Sequence, residues 1–262
     1  MIFKYIEKIE LYMSKKPVSN SHQKEGGYWL YGLHAVQAAL KNPLRQKNRL
    51  LATQEIFDTL MTKLERPLNI SYEIADRMML DRFCGRDAVH QGVALQVMPL
   101  PNPDLEDIVK RYGPVLILDQ VTDPRNVGAI LRSAMAFGAA GIIMQDRHSP
   151  EESGVLAKAA SGALDSVLVM KVVNLSRIMK QLKEKGFWVL GMDAQGEVLN
   201  GQNYKKRKVA LVLGAEGKGL RQLVRQNCDE IVSLYMAGDI DSLNVSVAGA
   251  IALYEIIHSN LI

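Results

Sequence analysis

From residue 115 onward, short apolar runs alternate with segments whose apolar positions recur every three or four residues. The runs fall at 115–118, 141–144, 167–172, 187–191, 209–213 and 231–234. Their near-continuous Val, Ile and Leu content predicts strands buried on both faces, and the segments between them predict covering helices. That alternation is the signature of a parallel α/β sheet. Upstream the pattern is weaker. Leu33, Val36 and Leu40 share one helical face that Asn42-Pro43 ends. A short apolar run at 50–52, a helical stretch around 55–64, an extended stretch at 70–74, a helix near 75–83 and a strand-like VALQVMPL at 93–100 complete a smaller α/β unit. The proline-rich PLPNPD at 99–104 separates the two and predicts an interdomain hinge. The organisation expected is a flexible polar leader over 1–27, a small domain over 28–98, a linker over 99–105 and a larger domain over 106–262.

Composition changes this picture little. At 262 residues and 48% hydrophobic content the chain can bury two cores. The net charge of +4 is mild, but residues 1–49 carry nine Lys/Arg against three Asp/Glu, whereas 101–262 carry eighteen of each. The basic excess near the N-terminus, and the KKRK run at 205–208, are candidate phosphate contacts or solvated positive surface. Cys84 and Cys228 lie far apart with no CxxC or Cys/His spacing, which argues for reduced thiols and no structural metal. No run approaches the roughly 20 apolar residues of a membrane span, and the N-terminus lacks a signal-peptide core. A cytoplasmic protein is expected, with Met13 a candidate alternative start.

The candidate chemistry lies where strands give way to helices, the positions at which α/β sheets bind ligands. After 115–118 come Asp119, the Asp123-Pro124 turn, Asn126 opening a helix, and Arg132 less than two turns further on. After 209–213 comes GAEGKGL, with Gly214, Glu216, Gly217 and Gly219. It lacks the Lys-Ser/Thr ending of a P-loop, and no GxGxxG follows the first strand, so a phosphate-cradling nucleotidase is disfavoured. Third, Ser242, Asn244 and Ser246 precede the apolar helix 247–257. One cap explains one of these polar residues, not three.

Together DPRNVGAILRSAMAFG, GAEGKGL and SLNVSVAGAIALYE resemble, in order, the three motifs of the SpoU (TrmH) family of RNA ribose 2'-O-methyltransferases in the SPOUT superfamily. YGLHAVQAAL and HQGVAL are similar to the substrate-binding domain of members acting on bacterial 23S ribosomal RNA, a fold like ribosomal protein L30e. The resemblance implies an α/β fold with a C-terminal SPOUT domain. That domain holds a parallel sheet and a deep trefoil knot, and a small L30e-like α/β RNA-binding domain precedes it. It further implies S-adenosyl-L-methionine as cofactor, RNA as partner, homodimers in which the partner's first motif completes each site, and no metal. Carried onto this chain, the catalytic set is Arg132, Asn126, Glu216, Asn244 and Ser246. The cofactor-binding set is Gly214, Leu234, Met236, Leu243 and Asn244. Where the family reads Ile-Pro-Met, this chain has Leu234-Tyr235-Met236, its clearest departure. A guanosine of 23S rRNA is the substrate implied, with transfer RNA ribose methylation or a non-catalytic RNA-binding role in ribosome assembly as alternatives. His34 and His90 are expected to be structural or RNA-contacting.

Overall fold

The computed structural model describes residues 27–64, 68–238, 240 and 242–259; the expected leader, apart from Gly27, lies outside the described residues. The small domain is a four-stranded sheet of β1 (Tyr28–Tyr31), β2 (Lys47–Ala52), β3 (Ser71–Ile74) and β4 (Val93–Val97), in the order β1-β4-β2-β3. Helices α1 (Leu33–Lys41), α2 (Gln54–Lys63) and α3 (Arg77–Cys84) connect its strands. β1 has no counterpart in the sequence expectations. At four residues of mostly aromatic character, YWLY carries no period, and only pairing with β4 makes it a strand. The strand read over 93–100 stops at Val97, where Pro99 removes the next ladder donor.

The larger domain holds six strands, all parallel, in the order β10-β8-β9-β5-β6-β7. They are β5 (Val115–Leu118), β6 (Gly141–Gln145), β7 (Val169–Val172), β8 (Phe187–Val198), β9 (Lys208–Leu213) and β10 (Glu230–Ser233). Six helices cover them: α4 (Leu105–Val109), α5 (Pro124–Ala136), α6 (Gly154–Ala160), α7 (Leu175–Glu184), α8 (Gln222–Gln226) and α9 (Val245–His258). Alternation along each strand sorts side chains to two faces. Leu116, Ile142 and Leu211 pack with Val127 of α5, Leu156 of α6 and Leu253 of α9, while Ile117, Ile143 and Val212 pack with Ile108, Met179 and Val224 of α4, α7 and α8. Both faces are buried, so the strands needed to be apolar at every position.

The chain runs from β5 outward through β6 and β7, then jumps to β8 and returns as β9 against the other side of β5. Strand order therefore reverses between β5 and β9, and the crevice beyond their carboxyl ends is the ligand position of such sheets. From the edge strand β10 the chain comes back over the sheet as α9, which packs on α5 and β9. Both cysteines are free. Among the described residues no helix is long and apolar enough to cross a membrane, and no cluster of three or more His, Cys, Asp or Glu could hold a metal.

Candidate active site

Three loops meet at the carboxyl ends of β5, β9 and β10. The first leads into α5. Its cap is Asp123, whose carboxylate accepts from the Arg125 N–H at 2.8 Å, and Pro124 occupies the first turn. The helix thus opens two residues before Asn126, earlier than the sequence suggests, because Asp-Pro supplies both a cap and a pre-set φ. Freed from capping, Asn126 turns its side chain out toward the second loop.

That second loop folds back on itself. Ala215 and Gly219 form an isolated antiparallel bridge, with N–H to O=C distances of 3.2 and 2.9 Å, leaving Glu216, Gly217 and Lys218 at an exposed tip. Gly214 sits where the returning strand crosses: a Cβ there would lie 2.3 Å from the Gly219 carbonyl carbon. Only glycine permits that approach. The third loop ends in Asn244, the cap of α9, whose Oδ1 accepts from the N–H groups of Ser246 (2.9 Å) and Val247 (3.4 Å).

Glu216 joins all three. Its Oε1 accepts from Asn126 Nδ2 at 3.1 Å, from Asn244 Nδ2 at 2.5 Å and from the Val245 N–H at 3.4 Å. Asn244 Nδ2 also donates to Asn126 Oδ1 at 3.0 Å, and Ser246 Oγ donates to Asn244 Oδ1 at 2.5 Å. Residues 90 and 118 positions apart in sequence are thereby held in one polar cluster. A cap needs none of this, and a carboxylate with three donors on one oxygen is a fixed negative charge.

Four of the five expected catalytic residues are in that cluster. Arg132 is not. It is exposed on α5, and its side chain has no hydrogen-bonding or ion-pair partner among the described residues. Six residues at 100° per step set it about 120° around the helix from Asn126 and about 9 Å along the axis. Arg132 instead flanks Met135, an apolar side chain 44% exposed.

The expected cofactor residues lie beyond β9 and β10. Leu234, Met236 and Leu243 are half-buried, with Leu234 packed on the main core. Among the described residues, no backbone partner is found for Gly214 or for Leu234, Met236 and Leu243. Half-buried apolar side chains beside unpaired backbone donors and acceptors suit a ligand with a flat apolar ring and hydrogen-bonding edges. Tyr235, at the position of the family's proline, is 77% exposed, so its ring leaves that cradle open.

Asp119, noted in the sequence without a role, and Arg221, not singled out there, brace the site. Asp119 is fully buried at the end of β5 and accepts from the Arg221 N–H (2.9 Å) and from Arg221 Nε (2.7 Å). Arg221 Nη2 completes the pair at 2.7 Å. The clamp ties the end of the second loop to the first strand. An acid directly after a fully buried strand was the available signal, since such a charge requires a partner. Other candidates fall elsewhere. KKRK sits at the amino end of β9, opposite the loops, and there Arg207 lies 4.9 Å from the Trp188 ring centroid and Lys208 5.6 Å from that of Phe187. His90 is buried, bonded to Asp81 at 3.1 Å and accepting from the Gly92 N–H at 3.0 Å, whereas His34 is exposed on α1.

Comparison with known proteins matches two family patterns. Residues 113–254 match the SpoU rRNA Methylase family, and residues 29–103 match the RNA 2'-O ribose methyltransferase substrate binding domain. The chain is 38% identical over 234 residues to the 23S rRNA (guanosine-2'-O-)-methyltransferases RlmB of Salmonella typhimurium and Escherichia coli, covering 86% of this chain and 96% of theirs. It is also 38% identical over 250 residues to an uncharacterized tRNA/rRNA methyltransferase of Synechocystis, covering 92% of this chain but only 65% of that protein. In fold it is similar to the SpoU methyltransferase AviRb of Streptomyces viridochromogenes, solved in complex with AdoMet (TM-score 0.76, 23% identity, 91% and 92% of the two chains). An AdoMet-bound rRNA methyltransferase of Sinorhizobium meliloti gives a TM-score of 0.71 at 23% identity, covering 87% and 86%.

Proposed function

The chain belongs to the SpoU rRNA Methylase family, and we propose that it methylates a ribose 2'-hydroxyl of RNA, a guanosine of 23S rRNA, using S-adenosylmethionine in the cytoplasm. The observation that carries this reading is the convergence of Asn126, Glu216, Asn244 and Ser246 on one oxygen-rich cluster beside an unpaired backbone cradle. A protein that only bound RNA would have no need of that cluster.

The cofactor supplies an electrophilic methyl carried on a sulfonium. Gly214, Leu234, Met236 and Leu243 would hold it, with backbone groups on its polar edges and aliphatic side chains against its ring. The chain's remaining task is to align a poor nucleophile, whose proton passes to the surrounding water as the methyl is transferred. Glu216 locks the amides of Asn126 and Asn244, so the groups facing the ribose do not need to reorganise during reaction. Arg132 holds the phosphate beside the target sugar and stabilises the developing oxyanion. A guanidinium is not deprotonated in proteins, so it acts by charge and donated hydrogen bonds rather than as a free base.

Arg132 serves the partner's site in a homodimer. An apolar stripe supports this: Val247, Ile251 and Tyr254 on α9, with Met135 on α5, are 44–49% exposed, and Tyr254 is flanked by Phe137 and His258. A second copy seated on that stripe would bring each Arg132 to the rim of the other site. The return of the chain from edge strand β10 to the middle of the sheet as α9 is also what a knotted C-terminus requires.

Transfer of labelled methyl onto unmodified 23S rRNA and transfer RNA transcripts tests the reading. Incorporation at a 2'-O-guanosine of 23S rRNA, lost in Arg132→Ala with cofactor affinity retained, is expected. Labelling of transfer RNA alone, or of neither, would overturn it.

A further inference from the structure

The segment between the domains is pinned along its length. Leu100 N–H donates to Glu152 Oε1 at 3.0 Å. The Asn102 side chain forms two bonds with the backbone of Lys171, Nδ2 to O at 2.9 Å and N to Oδ1 at 2.7 Å, a rung added to the open edge of β7. Pro99, Pro101 and Pro103 stiffen the remainder.

Beneath it lies a charge cluster that no catalytic step uses. Arg45 of the small domain has a side chain with 0% exposure. Its Nε donates to Asp165 Oδ1 at 2.8 Å and its Nη1 to Glu152 Oε2 at 2.6 Å, both carboxylates belonging to the large domain. Nη1 also reaches the Met98 carbonyl at 3.0 Å. Tyr28 OH donates to Glu152 Oε2 at 2.9 Å, and Asn42 Nδ2 to Asp165 Oδ1 at 3.1 Å. Around this cluster the two cores are continuous, with Leu30 and Val36 in the same buried cluster as Leu156 and Leu164. At Gly154 a Cβ would stand 2.2 Å from the Tyr31 ring.

Apolar surfaces alone can slide; a buried guanidinium whose Nε and Nη1 hold two carboxylates keeps both ion pairs in one arrangement only, even though its Nη2 is buried without a partner among the described residues. We propose that Arg45 is a positioning residue: with Glu152 and Asp165 it locks the small domain in one orientation, so that RNA held there meets the active site at a fixed offset. The proposal rests on the reading that the small domain binds the RNA substrate. An unlocked domain must lose its freedom when RNA binds, so the deficit falls on RNA affinity and not on the chemical step.

The test uses the full chain with spin labels on p-acetylphenylalanine at exposed positions Glu55 and Glu184. Wild type should give one narrow interlabel distance distribution. Arg45→Met should broaden it and raise KM for a 23S rRNA transcript by about tenfold or more, which corresponds to the modest ordering cost of one freed domain. Its kcat and cofactor affinity should stay within about twofold. Arg45→Lys, which keeps the charge but reaches one carboxylate, should fall between. Glu152→Gln keeps size at a rim position and should act in the same direction if Arg45→Met fails to fold. A narrow distribution in every variant, or a broad one with unchanged KM, would overturn the lock. A wild type inactive on 23S rRNA yet narrow in distance would refute the substrate reading and leave the lock standing.

Discussion

Glu216→Ala removes the oxygen on which three loops converge. Its Oε1 accepts from Asn126, Asn244 and the Val245 N–H, so the substitution strands three donors at once. Buried hydrogen bonds to a charge are worth about 1.5–3 kcal/mol each, but Glu216 is exposed and water can take its place. The net stability loss is therefore about 1 kcal/mol, a fall in Tm of about 2–4 °C for a chain of this size. The rate should suffer far more. Water does not hold Asn126 and Asn244 in one geometry, and a misplacement of about 1 Å in aligned groups costs about a hundredfold. Glu216→Gln keeps an oxygen acceptor but loses the charge, which roughly halves each bond, so a fall nearer tenfold is expected. Single-turnover methyl transfer at saturating RNA, with Tm by calorimetry and cofactor affinity by titration, separates these effects. If Glu216→Ala kept kcat within about twofold of wild type, the cluster would not be organising the reaction, and the reasoning would fail.

Further expectations follow from the same geometry. Asp119→Ala leaves Arg221 without its buried partner. Breaking such a pair costs about 3–5 kcal/mol, reduced here to about 2–3 because Arg221 is 39% exposed and can turn to water. Thermal unfolding should show a Tm lower by about 5–10 °C, and an unchanged Tm would refute the clamp. Gly214→Ala places a methyl 2.3 Å from the Gly219 carbonyl carbon, so the loop must open; cofactor affinity measured by calorimetry should fall at least about tenfold, and wild-type affinity would exclude the cradle assigned to it. Burial, then the charge of Asp81, pushes the Cys84 thiol up to about 11, and burial pushes Cys228 up to about 12. Thiolate is the reactive form and becomes scarcer as pKa rises, so iodoacetamide labelling at pH 8 should be slower than in the unfolded chain by about two orders of magnitude at Cys84 and about three at Cys228, and should accelerate toward pH 11. Labelling of the native protein at the unfolded rate would contradict that burial.

What the amino-acid sequence determined by itself was local and periodic. Uninterrupted Val/Ile/Leu runs could only be strands covered on both faces, and all six of the larger domain lie where those runs predict, five of them within two residues at each end, whereas β8 continues seven residues past its expected end at Gly191, to Val198, as it goes on pairing with β10. The small and polar residues after 213 and before 245 were legible for the same reason: glycine and a surplus of cap-type side chains announce a backbone with a task. β1 was not legible, since four residues without a period become a strand only through the neighbour that pairs with them. The orienting role of Glu216 came only from the family resemblance, because nothing in GAEGKG itself says that its carboxylate meets an amide 90 positions earlier. Arg45 shows the same limit. As one of the nine basic residues of 1–49 it reads as a phosphate contact or solvated charge, yet it has no exposed side-chain area, because two carboxylates more than 100 positions away close over it. Periodicity reports which face of an element is buried. Which distant element buries it, and which charges meet there, is set by chain topology, and only the tertiary structure decides that.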